Sequence, residues 1–274
     1  MKKILIFLLI IQIQNINSQK ILKDYPLSKT IEETSGLEII GDYFVTHNDS
    51  GGDPSLYYLS MKGEIIKTRK IDSAVNKDWE DLTKDDKYIY ISDIGNNYST
   101  RKDLKIYKVP IDEESNEKTQ IISFNYPEQD SYKINRNTIY DAEGLISVND
   151  KLLIFTKNRA KKITELYMLP KSQGNYNAKK IKTLNVKSII TGADYNKELK
   201  LLALTSTIDF IKYYIITIDN FNLENNKDYK INMVEIPIGK TQVEAIKIID
   251  RNNFWITSED ESSSKHARLL KLNI

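Results

Sequence analysis

The chain of 274 residues contains no cysteine, and its glycines, prolines and tryptophans number ten, six and two. The lack of cysteine excludes disulfide bonds, thiol nucleophiles, thiolate metal sites and a lipid-modified N-terminal cysteine. The sequence also has no Gly-x-Ser-x-Gly elbow, Walker loop, dinucleotide fingerprint or zinc signature. Serine-hydrolase and nucleotide-cofactor chemistry are therefore without support.

Long apolar runs are missing after residue 11. The run Ile4–Ile11 follows Lys2 and Lys3, and polar residues lead from it to Ser18-Gln19. A short apolar run behind a basic start is typical of a signal peptide, and this one is too short to span a bilayer. We interpret residues 1–19 as a signal peptide and residues 20–274 as a single mature domain, secreted or periplasmic, with no transmembrane segment.

Neither sign of charge is in excess in the mature chain. Removal of residues 1–19 takes away two lysines and no acidic residue, which leaves 38 basic and 38 acidic side chains. Nucleic-acid binding depends on the neutralisation of phosphates by a basic surface. We therefore expect no nucleic-acid partner.

What the sequence does contain is a two-part phrase that occurs five times. A short polar step leads into an apolar strand, and 10 to 12 residues later an apolar pair precedes a hydroxyl residue. Successive first parts are 45, 63, 50 and 51 residues apart, and successive hydroxyls 46, 64, 49 and 52. Because the two series agree within one residue, each repeat is one supersecondary unit. The first parts centre on Gly36, Asp81, Gly144, Asp194 and Ala245, and the hydroxyls are Thr46, Ser92, Thr156, Thr205 and Thr257.

Each repeat is predicted to form four short strands. Turn residues such as Gly41-Asp42 and Lys62-Gly63 separate β-branched and aromatic runs, and helical periodicity is absent. Four-stranded units at this spacing are propeller blades, so the fold class is all-β, a β-propeller with five blades. Six blades are the alternative if the 63-residue interval contains a degenerate blade, but we assign its excess to a loop between Tyr126 and Tyr140.

The two ends of the chain complement each other. The fifth repeat stops one strand short after 267–274, and an extra strand, Ile21–Tyr25, precedes the first repeat. An N-terminal strand that completes the last blade would close the ring without an unpaired strand edge.

Acidic residues recur where the strands should meet the central channel. In a blade the first strand begins, and the second ends, on the same face, so both parts of every phrase converge on one channel mouth. Glu80, Glu143 and Glu244 share one repeat position, and glutamate lacks the turn-forming role of aspartate and asparagine. Converging carboxylates repel each other unless a cation or raised pKa values compensate. We therefore predict calcium at the mouth. The predicted metal ligands are Asp49, Glu80, Asp93, Glu143 and Glu244.

Basic and amide side chains accompany these acids in the loops after the second strands. His47 is a candidate general acid or base, which requires an imidazole open to the mouth, or else it orders a glycine turn. Arg101 and Lys157 are candidates to hold an anion, although the loop at Lys157 also fits a solvated surface. The predicted catalytic residues are His47, Arg101 and Lys157, and the predicted substrate-binding residues are Asn48, Asn96 and Arg159.

Five segments resemble a known group of proteins. The resemblance is to bacterial secreted β-propellers related to the esterase-like phytase and SdiA-regulated propeller families, and it is strongest over residues 35–160. It implies a propeller, export and calcium in the channel, but no settled substrate, and those relatives have six blades. The segments are Ser35-Gly36-Leu37, His47-Asn48-Asp49-Ser50-Gly51, Asp78-Trp79-Glu80-Asp81-Leu82, Asp93-Ile94-Gly95-Asn96-Asn97 and Asp141-Ala142-Glu143-Gly144-Leu145.

Two functions are consistent with this sequence. One is a calcium-dependent hydrolase of a small anionic ester, a phosphoester or a lactone, at the channel mouth. The other is a non-catalytic ligand- or partner-binding propeller with structural calcium. The fold does not separate them, since propellers host both classes. In either case we expect a monomer with a small anionic ligand or substrate.

Overall fold

The computed structural model describes residues 19–224, 228–239, 241–259 and 266–274, so the proposed signal peptide lies outside it except for Gln19. The described residues form strands and one 3-10 turn, Lys29–Ile31, and no α-helix. The strands are β1 (Lys20–Pro26), β2 (Thr34–Ile40), β3 (Tyr43–Asn48), β4 (Ser55–Leu59), β5 (Ile65–Lys70), β6 (Trp79–Lys84), β7 (Tyr88–Asp93), β8 (Lys105–Pro110), β9 (Gln120–Asn125), β10 (Ala142–Val148), β11 (Lys151–Thr156), β12 (Thr164–Pro170), β13 (Gly174–Asn177), β14 (Lys179–Leu184), β15 (Ile189–Asn196), β16 (Leu201–Thr207), β17 (Tyr213–Asp219), β18 (Asn232–Glu235), β19 (Val243–Ile248), β20 (Asn253–Ser258) and β21 (Arg268–Asn273).

These strands form five sheets, which are the five blades of a propeller. Blade 1 is β2–β5, blade 2 is β6–β9, blade 3 is β10–β12 with β14, blade 4 is β15–β18, and blade 5 is β19–β21 with β1. The first strands β2, β6, β10, β15 and β19 contact one another in a closed ring around the channel. The five-bladed prediction is confirmed and the six-bladed alternative is wrong, since residues 127–141 contain no strand.

The predicted closure of the ring is also confirmed. Strand β1 pairs antiparallel with β21, with Tyr25 opposite Leu269. Arg268 adds an ion pair to Asp24 across the same two strands, with Nε to Oδ1 at 3.0 Å. The first strand of the described chain thereby covers the edge that the last repeat leaves open.

One strand departs from the four-strand plan. Strand β13 leaves the hairpin of blade 3 and pairs in parallel with β9, the outer strand of blade 2. Blade 2 therefore has five strands. The pairing links two blades through main-chain hydrogen bonds at the rim, a long-range contact without a signal in the local pattern.

Apolar side chains pack between the blades in five clusters, one at each blade interface. Because successive side chains of a strand point to opposite faces, β7 directs Ile89 and Ile91 toward blade 1 and Tyr90 toward blade 3. A strand covered on both faces needs a continuous apolar run, which is the second part of the repeated phrase. Trp79 lies between blades 1 and 2 and Trp255 between blades 5 and 1, so both are core residues.

Every first strand has a register shift near the channel mouth. In blades 2, 3 and 5 the residue left outside the ladder is Glu80, Glu143 and Glu244, respectively. In blade 4 the residue at this position is Thr191, whereas the first part centred on Asp194 predicts the equivalent position at Ala193, so the prediction is wrong by two residues. A bulge bends the strand and changes the direction of one side chain. The side chains at these positions therefore depart from the regular alternation of a strand.

Candidate cation site at the channel mouth

Glu80, Glu143 and Glu244 lie buried at the channel mouth, as their shared repeat position predicts. Burial raises the pKa of all three carboxyl groups, and repulsion from neighbouring carboxylates raises those of Glu80 and Glu244 further. The three glutamates therefore belong to one acidic cluster, but Glu244, a predicted metal ligand, lies in neither of the carboxylate groups close enough to share an ion.

Two groups of three carboxylates can be distinguished within this cluster. In each group, one oxygen from every residue lies within 4.8 Å of the others, a spacing that suits a shared ion. Both groups contain Glu80. We call Asp49, Asp78 and Glu80 the first triplet, and Glu80, Asp141 and Glu143 the second triplet.

Asp78 and Asp141 were missing from the predicted ligand set, although the sequence carries a signal for them. Each stands two residues before a bulged glutamate, so that blades 2 and 3 share the pattern Asp-x-Glu. The residue at this point of blade 5 is Gln242, which donates a 2.6 Å hydrogen bond to Glu259. The repeated pattern therefore begins two residues earlier, closer to the mouth, than the first part that was defined from the sequence.

Two basic side chains reach the second triplet. Lys157 forms an ion pair with Glu143, and Nη1 of Arg159 lies 2.6 Å from Oδ2 of Asp141. Burial acts to lower the pKa of Lys157, but the surrounding carboxylates, Glu143 first, outweigh burial and raise it. Lys157 is thus a buried ammonium group inside an acidic cluster.

Two carboxyl groups of the first triplet, Asp49 and Asp78, have raised pKa values. Burial, followed by repulsion from Glu143, raises the pKa of Asp49 to about 8. Burial also raises the pKa of Asp78 to about 6. Oδ1 of Asp49 is buried and has no hydrogen-bond partner among the described residues. An all-oxygen donor set with an unsatisfied buried oxygen fits Ca²⁺, which binds carboxylates.

Asp93 and Arg101 form a buried ion pair. Arg101 donates to Oδ1 of Asp93 at 2.8 Å, to the carbonyl of Gly95 at 2.9 Å and to Asp103 at 3.3 Å. Only 8% of the arginine is exposed. Its donors order the loop after β7, so the guanidinium is not available to hold an anion, and Asp93 belongs to neither triplet.

The predicted ligand-binding amides have different environments. Asn96 is buried, and its side chain donates to the carbonyl of Tyr140 and accepts from the amide of Arg101. It therefore connects two loops and does not face a ligand. The side chain of Asn48 donates to the carbonyl of Thr30, while its buried Oδ1 has no partner in the described part of the chain.

His47 does not open to the channel mouth. Its side chain is 0% exposed, and its ring packs edge-on against Trp79 with centroids 5.4 Å apart. Nδ1 lies 2.9 Å from the carbonyl oxygen of Asn48, and burial lowers the pKa to about 4. The prediction of an imidazole open to the mouth is wrong, because the ring fills the interface between blades 1 and 2.

Beyond the triplets, further charged side chains join blades across the channel. Oδ2 of Asp81 accepts hydrogen bonds from the amides of Leu145 at 2.9 Å and Ala193 at 3.2 Å, which lie on blades 3 and 4. The ammonium of Lys247 lies 2.8 Å from Glu38 and 2.9 Å from Asp194, on blades 1 and 4. These ionisable side chains thus connect the inner strands of different blades across the channel.

A small cleft borders the second triplet. It is lined by Asn97, Tyr98, Arg136 and Arg159 and has a volume of about 300 Å³. Arg159 also lines the acidic cluster, and Arg136 lies over the ring of Tyr98 at 5.3 Å. Two guanidinium groups therefore line a cleft next to a candidate cation site, and that of Arg159 also bonds to Asp141 and Asn97.

Comparisons with known proteins agree with the fold. An aldose sugar dehydrogenase from Streptomyces coelicolor, solved in its PQQ-bound form, has a TM-score of 0.52 at 9% identity, covering 93% of this chain and 98% of its own. An exo-β-1,3-galactanase from Phanerochaete chrysosporium has a TM-score of 0.55 at 9% identity, covering 92% of this chain and 63% of its own, so this chain spans less than two thirds of it. At such identity the likeness shows the β-propeller fold alone.

No family model matches the chain, and no curated protein matches it either. In the described ranges no helix has the length and apolar character needed to cross a membrane. The protein is therefore a five-bladed β-propeller with an acidic channel mouth.

Proposed function

We propose that this protein is an exported calcium-binding β-propeller that binds a small anionic ligand at its channel mouth. The observation that carries the proposal is the pair of carboxylate triplets, whose oxygens lie within 4.8 Å of each other around the buried Glu80. Asp49, Asp78 and Glu80 would hold the ion, and Glu143 and Glu244 would add negative charge nearby. Bound calcium would neutralise these carboxylates and offer coordination to a ligand oxygen.

The anionic ligand is inferred from the cleft next to the ion. Arg159 and Arg136 line it, and Tyr98 and Asn97 supply an aromatic face and an amide. Arg101 is buried and occupied within its own loop, and Asn96 joins two loops. Arg159 also bonds to Asp141 and Asn97, but its side chain is 24% exposed and lines the cleft, so it is the predicted basic residue that the geometry favours for ligand binding.

Glu80→Gln is expected to weaken calcium binding by at least about tenfold, because the residue belongs to both triplets and the change removes its charge. The measurement is calorimetric titration of the chelator-treated protein with calcium, together with its melting temperature with and without the ion. Glu165→Gln, at a buried glutamate on β12 that is paired with Lys180, is the matched control and should bind calcium normally. Absence of calcium binding by the unaltered protein would overturn the proposal.

Hydrolysis of a small anionic ester, a phosphoester or a lactone, is the second candidate function. It is favoured by one observation, the position of the arginine-lined cleft directly beside carboxyl groups of the candidate cation site. His47 is not available as proton carrier, so a carboxyl group of the mouth that does not hold the ion would have to serve. Calcium-dependent turnover of aryl phosphates or lactones, lost in Arg159→Ala, would support hydrolysis, and ligand binding without turnover would support the binding module.

A further inference from the structure

The two triplets differ in the cations that the chain itself supplies. Among the described residues, no basic side chain forms an ion pair with the carboxylate of Asp49, Asp78 or Glu80. The second triplet has two such pairs, Lys157 with Glu143 and Arg159 with Asp141. One triplet is therefore open to an external cation, and the other already contains an ammonium group.

Glu80 gives the first triplet a feature beyond a surface cluster of acids. The residue is only 4% exposed, and no described residue donates a hydrogen bond to its carboxylate. A buried carboxylate without a donor is costly unless a cation compensates. Glu80 belongs to both triplets, but its partners in the second triplet are already paired with Lys157 and Arg159, whereas Asp49 and Asp78 have no such pair among the described residues.

The loop after β7 lies directly against this triplet at Gly95. A methyl group at Gly95 would lie 2.0 Å from Oε1 of Glu80 and 2.3 Å from the carboxylate of Asp78. The present positions of the two carboxylates therefore leave no room for a Cβ at this residue. A methyl group here would displace both carboxylates without changing any charge.

We propose that the first triplet is a site for a single divalent cation, and that the ammonium of Lys157 is a fixed cation that keeps a second ion out of the neighbouring triplet. This inference rests on the proposed function and assigns the ion to Asp49, Asp78 and Glu80. Lys157 is a positioning residue here. Its ammonium group holds Glu143 in an ion pair and neutralises part of the negative charge that would otherwise attract an ion to the second triplet. Arg159 does the same for Asp141 from the partly exposed side.

The number of calcium ions per chain tests this assignment directly. Equilibrium dialysis of the purified protein against radioactive calcium is expected to give one ion for the unaltered protein and two for Lys157→Met, which keeps most of the side-chain length but removes its charge. Adding Asp141→Asn to Lys157→Met should return the count to one. Two ions bound by the unaltered protein, or one by a folded Lys157→Met, would overturn the inference, whereas no ion at all would contradict the proposed function itself.

Substitutions that leave Lys157 intact keep the assignment testable if its variants do not fold. Asp78→Asn and Gly95→Ala should each weaken calcium binding on the order of tenfold, the first by charge and the second by geometry. Asp141→Asn, the counterpart in the second triplet, should change it by less than about threefold. Equal losses in Asp78→Asn and Asp141→Asn would show that the two triplets act as one site, against the inference.

Discussion

Raising the pH from about 5.5 to about 8.5 in calcium-free buffer is expected to lower the melting temperature on the order of 10 °C. The folded-state pKa values of Asp49, about 8, and Asp78, about 6, both lie above the ordinary 3.8. The folded chain therefore binds more protons than the unfolded chain, and the free energy of unfolding falls as the pH rises through these values. After allowance for solvent screening, the two groups account for about 3 kcal/mol.

The control for this pH dependence is the double variant Asp49→Asn/Asp78→Asn. It removes both titrating groups while keeping their shape, so its melting temperature should vary much less over the same range. Calorimetric scans of both proteins with a chelator present provide the comparison. An unchanged slope in the double variant would show that other groups cause the pH dependence.

Lys247→Met is expected to destabilise the protein by about 3–5 kcal/mol at neutral pH, the usual cost of removing one partner from a buried ion pair. Glu38 and Asp194, which are buried on blades 1 and 4, would then face each other without the ammonium group between them. Repulsion of this kind weakens when a carboxyl group takes up a proton, so the loss should shrink as the pH falls. Urea unfolding at two pH values measures both effects.

Two further proteins separate this charge effect from loss of packing. Lys271→Met replaces a partly exposed lysine of the same blade and should change stability by less than about 1 kcal/mol. Adding Glu38→Gln and Asp194→Asn to Lys247→Met removes the stranded charges and should recover part of the loss. An equal loss of stability in Lys271→Met and Lys247→Met would show that the ion pairs of Lys247 with Glu38 and Asp194 do not stabilise the contact between the blades.

The repeated phrase predicted the blades because its spacing reflects a local requirement. Each inner strand needs a polar step at the mouth, and each second strand needs an apolar run because both of its faces are buried. The same logic located Glu80, Glu143 and Glu244 at one point of the ring, and the structure places a register shift there in all three strands. Ring closure by β1 followed from the missing strand of the last repeat.

Roles of single side chains were predicted less well, because partners far apart in sequence decide them. The sequence predicts that His47 is either an open proton carrier or a residue that orders the following turn, and the ring of Trp79 on the next blade covers the imidazole. The sequence predicts that Arg101 binds an anion. In the structure its guanidinium instead donates hydrogen bonds to Asp93 and to the carbonyl of Gly95, which lie at the end of β7 and in the loop that follows it. Lys157 was placed at the mouth correctly, yet its contact with Glu143 buries it among acids.

By itself the sequence determined the class of fold, the number of blades, the strand that closes the ring and the face on which the acids gather, since these follow from periodicity along the chain. Only the tertiary structure decided which acids form a triplet, which are paired with Lys157 or Arg159, and that Lys247 joins Glu38 and Asp194 from three blades. The physical reason is that strand patterns are local, whereas a carboxylate's charge state and partners depend on the side chains that the closed ring brings within a few ångströms of it.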